Sequence, residues 1–392
     1  MRACVIGTGR VALGLIAETL VAAGHEVTLL GRDPAVHDRL GRAKGYRVRL
    51  GDTRGHQERW VSGVTSHLVT DAEARRALAN ADMVATATGL ISYAPVAQLL
   101  AAALPGRRPV NVLCFENGTD VAAGLAQLVR SAAAPRWDAP MVGFAGAIVS
   151  RIVSRIDVDP DGVLVACGDS PGDITVDRGG LVADLPDAAG LVASGNFRAV
   201  TRRKLSTFSA AHGTAAYLGW LKGYRYVHAA VRDPQIRGAT EAAVREGQAG
   251  LYARYGPEWA GGPGLVGEIV HRLDNAELDD RVERVAGDPL RKLGSSERLI
   301  GSAVLAEEAG VRPRTLALAA AAAISFYRAG GGTCSPEALL SRVCQVDASG
   351  TFARDVLRGY RHFERHAVSG SAMIDLDRRV WSCSALGREP IG

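Results

Sequence analysis

The chain has 392 residues, enough for two domains with separate cores, and 47% hydrophobic with 22% charged residues is ordinary for a soluble globular protein and excludes wholesale disorder. The net charge of +5 raises nucleic acid as a partner, but basic and acidic residues are interspersed throughout. The excess is therefore read as attraction for anionic cofactors and a small polar substrate, not for nucleic acid. Six cysteines stand far apart without CxxC or zinc-type spacing. The first residues enter a strand pattern directly, and the longest apolar helix, near Leu316–Phe326, is too short for a bilayer. The expectation is a reduced, cytoplasmic protein without metal or membrane contacts, as a monomer or homodimer.

In chain order, the apolar run Ala3–Ile6 ends in Gly7-Thr-Gly9-Arg-Val-Ala12-Leu-Gly14, which opens a helical pattern. Strand, glycine turn and helix in that order form a dinucleotide site: Gly7 permits the turn, Gly9 lets the backbone approach a pyrophosphate, and Arg10 and Val11 begin the helix whose free N–H groups face it. A second strand, Glu26–Leu30, leads into Gly31-Arg32-Asp33. Asp33 suits the ribose hydroxyls of NAD(H); Arg32 suits the 2′-phosphate of NADP(H), which is preferred here while NAD(H) stays possible. Strands at Tyr46–Leu50, Asp82–Thr88, Val110–Leu113 and Met141–Val149 alternate with helices near Asp71–Ala79, Ala94–Ala103 and Val121–Ala133, which predicts a doubly wound parallel sheet. Thr86 and Thr88, and Glu116 with Asn117, fall past strand ends where ligands bind such sheets, although capping by small polar residues would read the same way. Asp157–Asp161 reads as a turn, Gly162–Val176 as two short strands, and Asp184–Asn196 as a linker. The domains expected are an α/β Rossmann-type domain over 1–195 and a mostly helical substrate domain over 196–392.

From Arg202 the pattern is helical, recurring in Ala239–Tyr255, Gly264–Leu273, Ser296–Ala309 and Thr315–Arg328. Lys204 is one of four lysines in an arginine-rich chain. Arginine keeps its proton, whereas a desolvated lysine can be tuned towards neutrality and act as a base. His212 follows eight positions later, about two turns along. Asp274–Asp280 reads as a solvated acidic loop. Arg291 and Lys292 are candidates for a substrate phosphate, with an ion pair to Glu283 or Asp288 as the alternative. His362 and His366 read as surface histidines rather than metal ligands, and Val368–Gly392 as a tail that docks or frays.

The run from Lys204 through Ser209 to His212, then AYLG at Ala216–Gly219, DPxI at Asp233–Ile236 and RVERVAGDPLRKLGSSERLI at Arg281–Ile300, resembles the long-chain polyol dehydrogenases of the mannitol dehydrogenase superfamily, in particular the mannitol-1-phosphate 5-dehydrogenase branch. The similarity extends through the N-terminal half. It implies that Lys204 is general acid/base on the reacting hydroxyl, that His212 polarises the carbonyl oxygen, and that Glu116-Asn117 lies beside the nicotinamide ribose. Ser209 stands where the family has an asparagine, and in Val142–Ile152, a segment that also offers Arg151 as a substrate contact, the family's polar residue falls at Gly146. Gly31 falls where that branch tends to have aspartate. Loss of an asparagine donor, with small residues at Gly146 and Ala147, hints at a substrate bulkier than a linear sugar phosphate, such as a cyclitol.

The expected function is NAD(P)H-dependent interconversion of a ketone and a secondary alcohol on a polyhydroxylated substrate, with the active site between the domains. The alternatives are a redox-neutral epimerase that keeps its cofactor bound, and a catalytically silent cofactor-binding protein.

Overall fold

The computed structural model describes residues 1–104, 108–118, 120–133 and 141–368, with side chains as far as residue 365. The His366 side chain and the tail with Trp381 and Cys383 lie outside the described residues. Contacts divide the chain after Thr201 into two compact units.

The first unit is built on an eight-stranded sheet of order β12-β11-β8-β7-β6-β1-β2-β5 and a four-stranded sheet of order β4-β3-β10-β9. In chain order the strands are β1 Arg2–Ile6, β2 Glu26–Gly31, β3 Gly45–Asp52, β4 Gly55–Ser62, β5 Val64–Leu68, β6 Met83–Thr86, β7 Val110–Cys114, β8 Val142–Val149, β9 Val153–Val158, β10 Leu164–Asp169, β11 Ile174–Asp177 and β12 Leu191–Ser194. From β8 to β5 the large sheet is parallel; β11 runs antiparallel to β8. Ala3–Ile6 and Val110–Cys114 are buried throughout, as expected of strands covered on both faces.

Three elements differ from the sequence-based expectation. The strand at Tyr46–Leu50 exists but belongs to the second sheet. There Tyr46, Val48 and Leu50 are buried, while Arg47 and Arg49 pair with Asp159 and Glu58. Its neighbour β4 was not foreseen because GHQERWVS buries only Val61 and carries no apolar alternation. The presumed linker contains β12, which extends the sheet beside β11.

The second sheet braces the first helix of the unit. Ala12–Ala17 forms a π-helical turn, where the Leu13 carbonyl accepts from Tyr46 Oη at 2.8 Å and the Gly14 carbonyl from Arg151 Nη1 at 2.7 Å. Arg151 also pairs at 3.0 Å with buried Glu18 and donates to the Pro171 carbonyl. Proposed as a substrate contact, its guanidinium is instead spent inside this unit.

The second unit is helical. Phe197–Lys204, which begins in the first unit, continues through a π-helical turn at Leu205–Ser209 into Ala210–Leu221. Around it lie Pro234–Tyr255, Leu265–Leu273, Ile300–Glu308 and Arg314–Ala329. Small residues allow close approach: a Cβ on Gly247 would sit 1.8 Å from the Ser206 carbonyl oxygen, so only glycine lets Pro234–Tyr255 pack against the π turn. The DPxI motif is structural, since Asp233 caps that helix by accepting from the Gln235 and Ile236 amides while pairing with Lys222. No helix among the described residues is long and apolar enough to cross a membrane.

Candidate functional site

In the first unit, β1 ends at Gly7, whose φ of +130° and whose Cβ position, 2.6 Å from the Ala87 carbonyl oxygen, both require glycine. Gly9 is the opposite case. Nothing lies within 4 Å of its Cβ position, so the backbone face at the start of the helix is open to a ligand. Arg10 is exposed and reaches the Ser154 carbonyl at 3.4 Å; Val11 is half-buried. An exposed glycine ahead of a helix whose first N–H groups lack intrahelical partners fits a pyrophosphate.

At the end of β2 the Thr8 side chain lies 2.8 Å from where a Gly31 Cβ would be, which leaves no room for a longer residue there. Arg32 is exposed. Asp33 has a structural duty: its Oδ1 accepts the Ala35 amide at 2.9 Å and caps the helix Pro34–Ala43.

Thr86, Thr88 and Glu116 converge at the adjacent ends of β6 and β7. Glu116 accepts from Thr86 Oγ1 at 2.8 Å, from Tyr93 Oη at 2.8 Å and from the Thr88 amide at 2.9 Å. Both carboxylate oxygens are thus used to hold the strand ends, and the neighbouring Asn117 is exposed. Gly146 is not open volume either, because a Cβ there would lie 2.8 Å from the Phe197 ring. The phenyl ring fills the space from which a bulkier substrate was inferred.

In the second unit, the π turn changes how Lys204 and His212 relate. Eight residues of ideal α-helix overshoot two turns by about 80°. One extra residue taken up in a wide turn reduces the offset to roughly 20°. Lys204 opens that turn and buried Ser209 closes it.

Lys204 is half-buried, and no group among the described residues hydrogen-bonds its amine. Desolvation, reinforced by the Arg298 and Arg272 guanidinium groups, brings it down to about 8, against a smaller opposing effect of Glu297. Both arginines are fixed on the helix that carries Lys204. Arg272 lies 4.5 Å above the Phe208 ring, and the Arg298 stem runs 3.4 Å from the Cβ position of Gly213.

His212 is buried, with its ring edge against Phe208 at 5.5 Å, and Nε2 lies 2.9 Å from Asp280 Oδ2. Desolvation lowers the imidazole despite the carboxylate's opposite pull, so the ring is neutral at physiological pH. Burial alone would raise Asp280, yet bonds from His212 and Arg284 outweigh it and hold the carboxyl far below its usual range. Asp280 is placed by backbone pairing: the Val227 amide donates to its carbonyl at 2.9 Å, beside a Tyr226–Arg281 bridge. The reading of Asp274–Asp280 as a solvated loop is therefore corrected. Asp280 is 3% exposed and anchors the histidine.

Arg291 and Lys292 are engaged elsewhere. Arg291 pairs with Asp288 and, at 3.1 Å, with Glu297. Lys292 is buried, donating to the Val285 carbonyl at 2.6 Å and to Gly287, and burial followed by nearby Arg298 and Arg291 takes it to about 7. The alternative reading, an Arg291–Asp288 ion pair, is the one seen. Among the described residues no group of three or more His, Cys, Asp or Glu could hold a metal ion.

Two family models match: the mannitol dehydrogenase Rossmann domain over residues 1–171 and the mannitol dehydrogenase C-terminal domain over 196–336. A mannitol-1-phosphate 5-dehydrogenase of Brevibacillus brevis is 34% identical over 340 residues, covering 83% of this chain and 86% of that protein. Another from Shouchella clausii is 31% identical, covering 84% of this chain and 90% of that protein. Among solved structures, Pseudomonas fluorescens mannitol 2-dehydrogenase, in a ternary complex with NAD and D-mannitol, superposes with TM-score 0.73 at 18% identity, covering 94% of this chain and 93% of that one. A substrate-free D-sorbitol dehydrogenase gives TM-score 0.72 at 14% identity, covering 94% of each chain.

Proposed function

Because the chain belongs to the mannitol dehydrogenase family, we propose that it interconverts a secondary alcohol and a ketone on a phosphorylated polyol, with NADP(H) as cofactor and Lys204 as proton donor and acceptor. The observation that carries the reading is the Lys204 amine, unbonded among the described residues and brought to about 8, on the same helical run as the buried His212. A bound nicotinamide supplies the hydride in ketone reduction and accepts it in alcohol oxidation. Open Gly9, exposed Arg32 and an Asp33 occupied in capping support the NADP(H) preference.

In reduction the carbonyl oxygen gains one proton, and ammonium Lys204 gives it. In oxidation the neutral amine takes the hydroxyl proton. His212, fixed through Nε2 by Asp280, keeps Nδ1 as an acceptor when neutral and thus orients a hydroxyl. Ser209 offers one hydroxyl donor in place of a carboxamide.

Fructose 6-phosphate reduction with NADPH and with NADH, followed by nicotinamide absorbance, tests this directly. Turnover favouring NADPH and abolished by Lys204→Ala is expected; absence of turnover with either cofactor, on this and other ketose phosphates, overturns it.

A further inference from the structure

The wide turn between Lys204 and His212 is held from two directions. Within it the Ala210 amide reaches back five residues to the Leu205 carbonyl, where an α-helix would use the Ser206 carbonyl. The carbonyl passed over lies against Gly247 of Pro234–Tyr255: a Cβ there would meet the Ser206 oxygen at 1.8 Å and its carbonyl carbon at 2.8 Å. Any side chain at this position presses the carbonyl back towards its own helix, where the Ala210 amide is the partner that closes an α turn.

The Ser206 side chain supplies the second hold. Its hydroxyl lies 3.0 Å from that of Ser302, on Ile300–Glu308, and Ser302 Oγ lies 2.6 Å from the Arg298 carbonyl. A carbonyl only accepts, so the single Ser302 proton goes to Arg298 and Ser206 donates to Ser302. Both hydroxyls are fully buried, and neither can exchange this bond for one to water. Inside the turn, Thr207 Oγ1 donates to the Arg203 carbonyl at 2.6 Å, a back-bond of the kind that bends helices.

We propose that Gly247 and Ser302 are positioning residues for catalysis: one by lacking a side chain, the other through Ser206, they keep the turn wide and so keep Lys204 and His212 on one side of their helix. Tightening the turn to α geometry rotates Lys204 by one residue's angle, about 100°, relative to His212. The catalytic consequence rests on the reading of Lys204 as proton donor and acceptor; the placement of the amine does not.

The test uses the full chain with Ser302→Ala, which removes the hydroxyl without adding bulk, and with Gly247→Ala, which presses on the carbonyl directly. Val356→Ala is the control for lost stability alone, since Val356 is buried in Thr351–Val368, which packs chiefly on Arg314–Ala329. With fructose 6-phosphate and NADPH, kcat is expected to fall roughly 10-fold in Ser302→Ala and about 10²-fold in Gly247→Ala, the effect of a misplaced reacting group. Cofactor affinity should be unchanged in both, and kcat unchanged in Val356→Ala. An amine turned out of the place where burial lowers it recovers towards 10.5, so the fall in reduction near 8 moves to higher pH in the two turn variants.

The amine is also read without turnover, by NMR titration of the four reductively methylated lysines, the Lys204 signal being the one that Lys204→Arg removes. A Lys204 midpoint that rises in Ser302→Ala and Gly247→Ala, but not in Val356→Ala, sustains the proposal. If wild type nevertheless reduces no ketose phosphate, only the dehydrogenase reading falls. A kcat and a Lys204 midpoint that keep their wild-type values in folded Ser302→Ala, or that move equally in Val356→Ala, overturn the proposal whatever the protein reduces. If Gly247→Ala does not fold, Ser302→Ala decides alone.

Discussion

The imidazole of His212 is tethered by Asp280, Nε2 to Oδ2 at 2.9 Å, and the same carboxylate is gripped by Arg284 through bonds of 2.6 and 2.8 Å. The arrangement turns a buried histidine into an oriented one. A proton on Nε2 serves the carboxylate, and the neutral ring is left with an acceptor at Nδ1. Such a ring holds an alcohol hydroxyl well. It does little for a ketone oxygen, which needs a donor, and that is the part the proposed mechanism gives to Lys204.

Asp280→Asn tests the tether. The amide can still bond to one partner, but Arg284 loses its paired carboxylate and the imidazole loses the charge that opposes its desolvation. Turnover should drop on the order of 10²-fold through misorientation. Breaking a buried ionic contact should also cost about 3 kcal/mol in thermal or denaturant unfolding. Wild-type kcat in a stably folded Asp280→Asn would show that His212 needs no anchor.

In the proposed mechanism Lys204 sets the pH dependence. With its amine near 8, the ammonium form dominates at pH 7 and is lost as pH rises. The kcat/KM for ketone reduction should therefore fall through about 8, while that for alcohol oxidation should rise through the same value. Lys204→Ala should lose roughly 10²–10⁴-fold in either direction, with cofactor binding by fluorescence little altered. Profiles in which both directions move together would assign the titration to another group.

The same lysine bears on stability. Its folded value, about 8, lies below the ordinary 10.5, so the unfolded chain binds the proton more tightly and the charged amine opposes folding at neutral pH. The penalty is full below about 8 and disappears as pH rises to 10.5. Lys204→Met should stabilise the protein at pH 7 by about 2–3 kcal/mol, with the gain shrinking above pH 8. A midpoint difference that stays constant across that range would mean that packing, not charge, accounts for it.

How much of this was legible in the sequence follows from the range of each interaction. The Gly7–Gly14 turn is local, and its strand–turn–helix context identifies it without tertiary information. Lys204 and His212 were also visible, but the π turn between them was not, since a 3.6-residue period has no means of showing one extra residue. Asp280 escaped notice because its partner lies 68 residues away and its neighbours are acidic, which made it look solvated. Arg151, Arg291 and Lys292 show the converse. Each carries the right charge for a ligand, yet Glu18, Asp288 and backbone carbonyls take it up, and only the folded chain reveals that.

The proposed preference for NADP(H) rests on two adjacent residues in different settings. Arg32 is exposed at the end of β2, whereas Asp33 spends Oδ1 on the Ala35 amide at 2.9 Å. Arg32→Ala should weaken NADPH binding roughly 10- to 100-fold, as expected for loss of charge-assisted bonds to a phosphate, and leave NADH nearly unchanged. Asp33→Ala should behave differently. Removing a helix cap should cost about 1 kcal/mol of stability, seen as a lower unfolding midpoint, without a selective effect on NADH. Titrating both cofactors into the three proteins distinguishes the roles. A selective loss of NADH affinity in Asp33→Ala, with NADPH unaffected by Arg32→Ala, would mean that the carboxylate leaves its cap to bind the ribose and that NAD(H) is the physiological cofactor.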